Sequence, residues 1–440
     1  MKRYQAYTRR NFREIPEINR LPEEMISDID LVSRVFPFKT NNYVVENLIN
    51  WNDVPYDPMF ILNFPQRGML LDYHYNILKE VVKKGNEEEI RQKAHDIQLS
   101  LNPHPAGQLE YNIPNFKGRK LNGIQHKYEQ TVLFLPSRGQ TCHAYCTFCF
   151  RWPQFIGDSE LKIGAKDVTD LLEYLRSHKE VTDVLFTGGD PLVMKASTLS
   201  DYLTPLLDSE FSHIRNIRFG TRVLTYWPDR FITDEDSSEL LSLFRKIIKS
   251  GKHLAFMAQF NHPVELTTSE VQEAIARIRE TGAEIRTQSP VLKHINNNPE
   301  LWAEMWQKQV ELGCIPYYMF MVRDTGAQHY FGVPIIRAHQ IYREAVMQVS
   351  GLGRTVRGPV MSTTPGKIQI LGPAQVEGYN FIVLTFLQAR NPEWVMKPFF
   401  AEYDEDALWL DDLMPAFGKR KFFFEDDDLE YEPLFRELGN

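Results

Sequence analysis

The residues best suited to metal chemistry are three cysteines within eight positions, Cys142, Cys146 and Cys149, with the spacing C-x3-C-x2-C. The only other cysteine, Cys314, lies far along the chain. A structural zinc site normally has four closed ligands, whereas three thiolates suit a [4Fe–4S] cluster in which each iron takes one external ligand. One iron would then be open to a non-protein ligand. A zinc site with a remote fourth ligand and three incidental cysteines are the alternatives.

The elements that must position these cysteines begin near residue 132, where short apolar runs start to alternate with amphipathic stretches. One such stretch places Val168, Leu171, Leu172 and Leu175 on one helical face. The alternation predicts βαβ units and a parallel sheet in an α/β fold. Six units favour an incomplete (β/α)6 TIM-like barrel over an eight-unit barrel. The six apolar runs are 132–136, 181–189, 214–221, 253–261, 284–292 and 316–322.

The cysteine loop directly follows the first apolar run. In parallel sheets, chemistry gathers at the carboxyl ends of the strands, in the loops that follow them. The second run ends in a loop with the sequence FTGGDPL, residues 186–192. Both loops are therefore predicted at the edge of the sheet where a functional site belongs.

The rest of the chain divides by composition. Residues 1–125 are predicted as a helical N-terminal region that ends in a connector rich in proline, glycine and asparagine. The partial barrel would span 126–355, and two further apolar runs predict a small β-rich extension over 356–400. Residues 401–440 carry 13 acidic against 4 basic side chains. They are predicted as an acidic, solvated C-terminal tail.

Composition excludes several classes of protein. Hydrophobic residues make up 43% of the 440 residues, which is enough for a sizeable core, and the net charge of −8 gives no general attraction to nucleic acid. No apolar run approaches a membrane span, and the first residues contain no secretory signal. Four cysteines are too few for a disulfide framework. We therefore expect no membrane partner, no nucleic-acid partner and a cytoplasmic location.

The cysteine spacing, with Phe148 directly before the last cysteine, resembles that of the radical SAM superfamily. This resemblance implies a [4Fe–4S] cluster whose open iron chelates S-adenosyl-L-methionine, and electron transfer that releases a 5′-deoxyadenosyl radical. Gly188, Gly189 and Asp190 resemble a second feature of the superfamily, in which the glycines would let the backbone approach the methionine amino group. A glycine pair alone is typical of any turn after a strand, so its position after the cysteine loop carries the resemblance.

A longer set of motifs resembles the lysine 2,3-aminomutase family over roughly residues 120–390. The family's enzymes are isomerases that move an amino group between neighbouring carbons. The resemblance implies that pyridoxal 5′-phosphate holds the migrating nitrogen while the adenosyl radical removes a hydrogen from the adjacent carbon. The motifs are HKYEQTVLFL (126–135), GGDPL (188–192), FGTRV (219–223), QFNHP (259–263), TQSPVL (287–292), PYY (316–318) and PGKIQI (365–370).

The resemblance assigns pyridoxal phosphate to three residues. Lys367 matches the family's Schiff-base lysine, which must be deprotonated to attack the cofactor. Lys127 and Tyr128 match a basic and aromatic pair in the cofactor pocket, with lysine where arginine is usual. The family usually has a longer glycine run before the Schiff-base lysine, whereas this chain has MSTTPGK (361–367). That departure leaves open a radical SAM enzyme that works without pyridoxal phosphate.

Three further residues match family positions near the reacting molecules. Arg151 matches the arginine that pairs with the substrate carboxylate, for which a guanidinium fork is geometrically suited. His262 and Gln288 match positions near S-adenosylmethionine. The family loop usually continues with more arginines after Arg151, whereas Trp152 and Pro153 follow it here.

The substrate is predicted not to be lysine. Lysine-specific members use two aspartates to hold the side-chain ammonium, and counting from the flanking motifs places Arg323 and Val360 at those positions. A like charge in place of an attractive partner costs several kcal/mol. Arg323 instead indicates a substrate with a distal carboxylate, such as glutamate, or with another hydrogen-bond acceptor at its distal end. The alternative is a shift of one residue, which would bring Asp324 to the pocket and restore lysine.

Partners and competing functions follow from the same resemblance. It implies a small amino-acid substrate, an electron donor such as flavodoxin or ferredoxin, and a homo-oligomer. The zinc that lysine enzymes often bind through C-terminal cysteines is not expected, because no cysteine follows Cys314. The alternatives are a lysine 2,3-aminomutase, a radical SAM enzyme without pyridoxal phosphate, and a non-catalytic Fe–S or zinc-binding protein.

Overall fold

The computed structural model describes residues 3–158 and 161–425. The first hundred residues contain five α-helices and several short 3-10 helices within the described part of the chain, with two short strands among them. The helices are α1 Glu23–Val32, α2 Asn42–Asn47, α3 Pro58–Asn63, α4 Asp72–Lys84, α5 Glu87–Ser100, α6 Thr169–Ser177, α7 Ala196–Leu203, α8 Val223–Tyr226, α9 Ser237–Lys249, α10 Ser269–Arg279, α11 Pro299–Glu311, α12 Gln328–Phe331 and α13 Ile335–Met347.

Eleven strands form one large mixed sheet, in the order β15-β14-β13-β12-β11-β10-β9-β8-β7-β6-β5. Two small pairs, β1 with β2 and β3 with β4, lie outside it. The strands are β1 Ala6–Thr8, β2 Lys39–Asn41, β3 Asn115–Phe116, β4 Arg119–Lys120, β5 Ile124–Tyr128, β6 Thr131–Phe134, β7 Asp183–Phe186, β8 Asn216–Thr221, β9 His253–Gln259, β10 Glu284–Val291, β11 Ile315–Met321, β12 Arg357–Ser362, β13 Gly366–Val376, β14 Tyr379–Ala389 and β15 Pro398–Glu402.

The six predicted strands are β6 to β11, and each pairs in parallel with the next. A seventh strand, β12, continues the parallel run beside β11. The prediction missed β12 because its sequence, RGPVMS, has a glycine and a proline and only a short apolar run. The α/β class is thus confirmed, with antiparallel strands flanking the parallel run at both edges.

Period-two alternation gives the two faces of the sheet different surroundings. Phe134, Phe186, Phe219 and Phe256 stand at one register level of β6 to β9 and are fully buried. The helix α9 packs on this row, with Phe244 edge-on to Phe256 at a ring distance of 5.2 Å. The residues that precede the phenylalanines in sequence point to the other face of the sheet, which lines a cavity.

The N-terminal helical region holds the cysteine loop from outside. Lys39, on β2, donates from Nζ to the Cys142 carbonyl over 2.7 Å. Its own carbonyl accepts from the Tyr145 amide at 2.7 Å. The Thr147 amide in turn donates to the Leu62 carbonyl at 3.0 Å. The N-terminal helical region therefore helps to hold the cysteine loop in place.

The acidic C-terminal segment differs from the predicted solvated tail as far as residue 425. Its acidic side chains are exposed, but Trp409, Phe422 and Phe424 are buried. Phe424 packs edge-on against Phe386 at a ring distance of 5.2 Å. The acidic composition gave no sign of this packing, in which Phe424 contacts Phe386 of β14 and Phe422 contacts Phe399 of the edge strand β15. The part of the predicted tail after residue 425 lies outside the described residues.

No helix within the described ranges is both long and apolar enough to cross a membrane.

Candidate active site

A cavity of about 340 Å³ opens at the carboxyl ends of the parallel strands. It brings together all but one of the residues predicted from the sequence. Those that line it are Lys127, Tyr128, Cys142, Cys146, Phe148, Cys149, Arg151, Gly188, Gly189, Asp190, Gln288, Arg323 and Lys367.

The cavity is strongly basic although the whole protein is acidic. Among the described residues that line it, Asp190 is the only acidic one and six are basic: Lys127, Arg151, Arg218, Arg222, Arg323 and Lys367. Burying so many cations is costly unless anions pair with them. The lining therefore fits ligands that carry phosphate or carboxylate groups.

The three cysteines are free thiols on one wall of this cavity. Burial raises the pKa of Cys149 to about 12, so thiolates there need positive charge nearby. Within residues 3–158 and 161–425, no three His, Cys, Asp or Glu side chains are grouped as ligands of a single metal ion. In a [4Fe–4S] cluster each thiolate binds a different iron. Three thiols along one cavity wall fit the protein ligands of such a cluster, with one iron left for another ligand.

Gly188 and Gly189 bring the second loop into direct contact with the cysteine loop. A Cβ on Gly189 would lie 2.4 Å from the Thr141 carbonyl oxygen, and one on Gly188 would lie 2.0 Å from Nε2 of Gln140. The Asp190 amide donates to the Thr141 carbonyl over 2.7 Å. The packing of the two loops is thus itself a reason for glycine here, besides the predicted approach of a ligand.

Asp190 uses its carboxylate inside the protein. It accepts hydrogen bonds from the Thr221 hydroxyl at 2.9 and 2.8 Å and from the Arg222 amide at 2.7 Å. Burial raises its pKa, while these donors act in the opposite direction. Asp190 thus ties the end of β7 to the end of β8.

Arg222 supplies the positive charge that the cysteines need, and the sequence interpretation gave it no role. It lines the cavity, forms a buried ion pair with Glu265 and donates to Oδ1 of Asn261 over 2.7 Å. Burial alone would lower the pKa of Arg222, but Cys146 and Glu265 raise it. Its Nε has no hydrogen-bond partner among the described residues, so this donor could bind a ligand.

Lys367 lies on β13 with its amine inside the cavity. Nζ donates to Oε1 of Gln388 over 2.9 Å and lies 4.9 Å from the centre of the Tyr318 ring. Burial lowers the pKa of Lys367 to about 7, with repulsion from Arg218 and Arg323 in the same direction. A large share of this amine is therefore neutral at neutral pH, as nucleophilic attack requires.

Lys127 and Tyr128 reach the cavity from the edge strand β5. Lys127 donates from Nζ to the Thr363 carbonyl in the segment before Lys367. Burial and nearby cations, Arg390 foremost, lower its pKa. The Tyr128 hydroxyl is buried, and no described residue forms a hydrogen bond with it. Both side chains fit a phosphate or phenolate group, since such a ligand would satisfy the hydroxyl and restore the lysine charge.

Two arginines flank the Phe150 ring. The guanidinium carbon of Arg323 lies 4.0 Å from the ring centre and that of Arg151 lies 5.1 Å from it. Arg323 also donates to Oγ of Ser362 over 3.1 Å. Only 8% of Arg151 is exposed, and its Nη1 has no hydrogen-bond partner. The pair could bind two carboxylates of one molecule.

The register at Arg323 agrees with the one counted from the sequence. Asp324 does not line the cavity; its Oδ2 accepts from Nδ2 of Asn102 over 3.0 Å. Val360 is buried in β12 and is likewise absent from the lining. The two positions at which lysine-specific enzymes are expected to carry aspartates, Arg323 and Val360, therefore place no acidic side chain in the cavity.

His262 is the one predicted site residue that the structure leaves outside the cavity lining. Its Nδ1 accepts from the Val264 amide at 3.3 Å, and burial lowers its pKa to about 4. The side chain caps the short 3-10 helix Pro263–Leu266 instead. Gln288, its predicted companion, does line the cavity.

Several cavity residues were missed by sequence reasoning although a signal existed. Arg218 stands between Ile217 and Phe219 in β8, and a charged residue inside an apolar strand must reach a polar cavity or a partner. It does both, since its Nε lies 2.7 Å from Asp183. Gln388 interrupts the apolar run of β14 in the same way.

Known proteins that are similar to this chain were found among aminomutases. A protein of Aquifex aeolicus (strain VF5), provisionally named L-lysine 2,3-aminomutase, is 33% identical over 404 residues, covering 92% of this chain and 95% of its own. The L-lysine 2,3-aminomutase of Escherichia coli (strain K12) is 29% identical over 253 residues, 56% of this chain and 69% of its own. The glutamate 2,3-aminomutase of Clostridioides difficile (strain 630) is 31% identical over 192 residues, 43% and 42% of the two chains. No protein-family model matches.

Proposed function

Because the chain belongs to the lysine 2,3-aminomutase family, we propose that it is a radical SAM aminomutase for an amino acid other than lysine. The reaction moves an amino group between adjacent carbons of the substrate. One observation carries the proposal: a single basic cavity is lined by the three cysteines, the Gly188–Asp190 loop, Lys367 and two arginines. A scaffold protein without catalysis has no need for these groups in one enclosure.

The cysteines would hold a [4Fe–4S] cluster, and the neighbouring lining would hold S-adenosylmethionine. When bound, they would supply the radical chemistry that removes a hydrogen from the substrate. Arg222, with its spare Nε donor, is placed to neutralise the thiolates and any carboxylate beside them. A one-electron donor such as flavodoxin or ferredoxin would reduce the cluster.

Lys367, Lys127 and Tyr128 would hold pyridoxal 5′-phosphate. When bound, this cofactor supplies a conjugated ring that holds the migrating nitrogen and spreads the unpaired electron. Lys367 contributes an amine whose lowered pKa leaves it able to attack at neutral pH. Gln388 orients that amine through its Oε1 without adding a negative charge. The hydroxyls of the MSTTPGK segment and the cationic lining offer partners for a phosphate.

Arg151 and Arg323 would bind the two carboxylates of a dicarboxylic amino acid such as glutamate. Both guanidinium groups lie over the Phe150 ring, so the two carboxylates would be bound beside the same aromatic side chain. An ammonium group at the distal end would meet Arg323 and be repelled. Ser362 steadies Arg323 through its Oγ.

The rest of the predicted organisation belongs to the same proposal. We infer that the parallel strands form the partial barrel of a radical SAM enzyme over 126–355. The strand extension over 356–400 would then carry the cofactor lysine, and residues 1–125 would support the cysteine loop. A homo-oligomer in the cytoplasm is the expected state.

The decisive experiment is a substrate panel. The protein is reconstituted anaerobically with iron, sulfide and pyridoxal phosphate, reduced, and incubated with S-adenosylmethionine and each common amino acid. Mass spectrometry should find a β-amino acid from glutamate or another dicarboxylic substrate. Efficient turnover of lysine would contradict the assignment of Arg323. Turnover without pyridoxal phosphate, or no S-adenosylmethionine binding at all, would support the alternatives instead.

A further inference from the structure

A tyrosine hydroxyl lies against one of the three cysteine sulfurs. The Tyr226 hydroxyl donates a hydrogen bond to Sγ of Cys146 over 3.3 Å. Tyr226 is the last residue of α8, the short helix that follows β8, and only 1% of it is exposed. The hydroxyl is therefore held beside this sulfur in the protein interior, away from bulk solvent.

Two contacts fix the position of this hydroxyl. The guanidinium of Arg222 lies over the Tyr226 ring, 4.4 Å from its centre. Nδ2 of Asn41 donates both to the Tyr226 carbonyl at 2.9 Å and to the His143 carbonyl in the cysteine loop at 3.2 Å. One amide thus ties the backbone of Tyr226 to the loop that carries Cys146, so the donor and the sulfur move as a unit.

We propose that Tyr226 is a positioning residue that raises the reduction potential of the cluster through its hydrogen bond to Cys146. The inference rests on the proposed function, since it needs the cluster. Reduction adds one electron from the external donor and increases the negative charge on the cluster sulfurs. A hydrogen-bond donor stabilises that reduced state more than the oxidised one. The hydroxyl keeps its proton throughout, and no covalent bond changes.

The test compares the reconstituted wild-type protein with Tyr226→Phe, which keeps the ring and removes only the donor. The potential of each cluster is measured by redox titration followed by electron paramagnetic resonance. At the same ambient potential, the ratio of reduced to oxidised cluster should be about tenfold lower in the variant, which is a shift of about 59 mV to lower potential for one electron. Its iron content should equal that of the wild type.

Tyr342→Phe is the matched control. Tyr342 lies on helix α13, and its hydroxyl donates to the Val356 carbonyl over 3.0 Å. The variant therefore also removes a tyrosine hydroxyl, but one that lies outside the cavity lining. Its cluster potential should equal that of the wild type. An unchanged potential in Tyr226→Phe overturns the inference, and so does a loss of iron, which would make the hydroxyl a requirement for assembly. Absence of a four-iron cluster in the wild type would instead overturn the proposed function.

Discussion

Lys367 and Gln388 face each other across the antiparallel strands β13 and β14, with Nζ donating to Oε1 over 2.9 Å. Both side chains line the cavity. The acceptor is a neutral amide, so it orients the amine without a charge that would retain the proton on it. The pair therefore presents a fixed nucleophile that can lose its proton near neutral pH.

The lowered pKa of Lys367 predicts the pH dependence of cofactor attachment. The neutral amine dominates above a pKa of about 7 rather than above the usual 10.5. The rate of covalent pyridoxal phosphate attachment to the apoprotein should thus rise through neutrality and then level off. Absorbance after mixing would measure it, and Lys367→Ala should show no borohydride-trapped cofactor. A rate still rising steeply towards the ordinary lysine pKa would contradict this prediction.

Replacing Gln388 with glutamate should reverse that effect. A carboxylate within hydrogen-bond distance stabilises the ammonium form and raises the pKa of Lys367. The midpoint of the attachment profile should move to higher pH in Gln388→Glu, with slower attachment at neutral pH. Gln388→Met, which adds no charge, is the control and should leave the midpoint near that of the wild type. Identical midpoints in all three proteins would exclude a role for this contact.

The neighbouring residues Arg323 and Asp324 give a paired test of substrate choice. Arg323→Met should lower kcat/KM for a dicarboxylic substrate by about 30-fold or more, because a buried charge pair is lost. Asp324→Asn should change it little, since Asp324 contacts Asn102 outside the cavity lining. Equal losses in both variants would show that the distal carboxylate is bound elsewhere.

The contact between the two loops predicts that Gly189 tolerates no side chain. In Gly189→Ala the added Cβ would meet the Thr141 backbone, so the loops must separate at a cost of about 1–3 kcal/mol. Iron content after reconstitution should fall, together with the free energy of unfolding. Gly351→Ala is the control, because nothing lies within 4 Å of its Cβ. Full iron content in Gly189→Ala would contradict the prediction.

Loss of the buried ion pair between Arg222 and Glu265 should lower the free energy of unfolding much more than loss of an exposed ion pair. The side chains are 6% and 0% exposed, so Glu265→Gln leaves an unpaired buried cation and should cost about 3–5 kcal/mol. Glu273→Gln breaks the exposed pair with Arg277 and should cost about 0.5 kcal/mol or less. Urea unfolding of the two variants measures both values, and similar losses would refute the difference.

Local pattern and motif spacing predicted much of the fold. The parallel strands β6 to β11 and the loops after β6 and β7 are where the apolar runs place them. Strand β12 escaped prediction because its glycine and proline resemble those of a turn. The packing of Phe422 and Phe424 was not predicted, because the acidic composition of the segment indicated a solvated tail.

Sequence motifs identified the site residues that lie within them. They did not identify the contacts between segments that are distant in sequence. The cysteines, Lys367 and Arg151 were identified from motifs, and they line one cavity. Arg222 lies in the motif FGTRV, but the motif did not reveal its role. That role depends on Glu265 and Cys146, which are distant in sequence and come near Arg222 only in the folded chain. His262 shows the converse, since a motif match did not reveal that its ring turns towards the Val264 amide.

The hydrogen bond from Lys39 to the Cys142 carbonyl bears on N-terminal truncation of the protein. A fragment that starts at residue 126 would retain every metal ligand yet lose the anchors of the loop that bears them. Such a fragment should stay colourless after reconstitution with iron and sulfide, whereas the full 440-residue chain should turn brown if it holds the proposed cluster. The first 125 residues would then be needed for iron binding although they contain none of the proposed ligands.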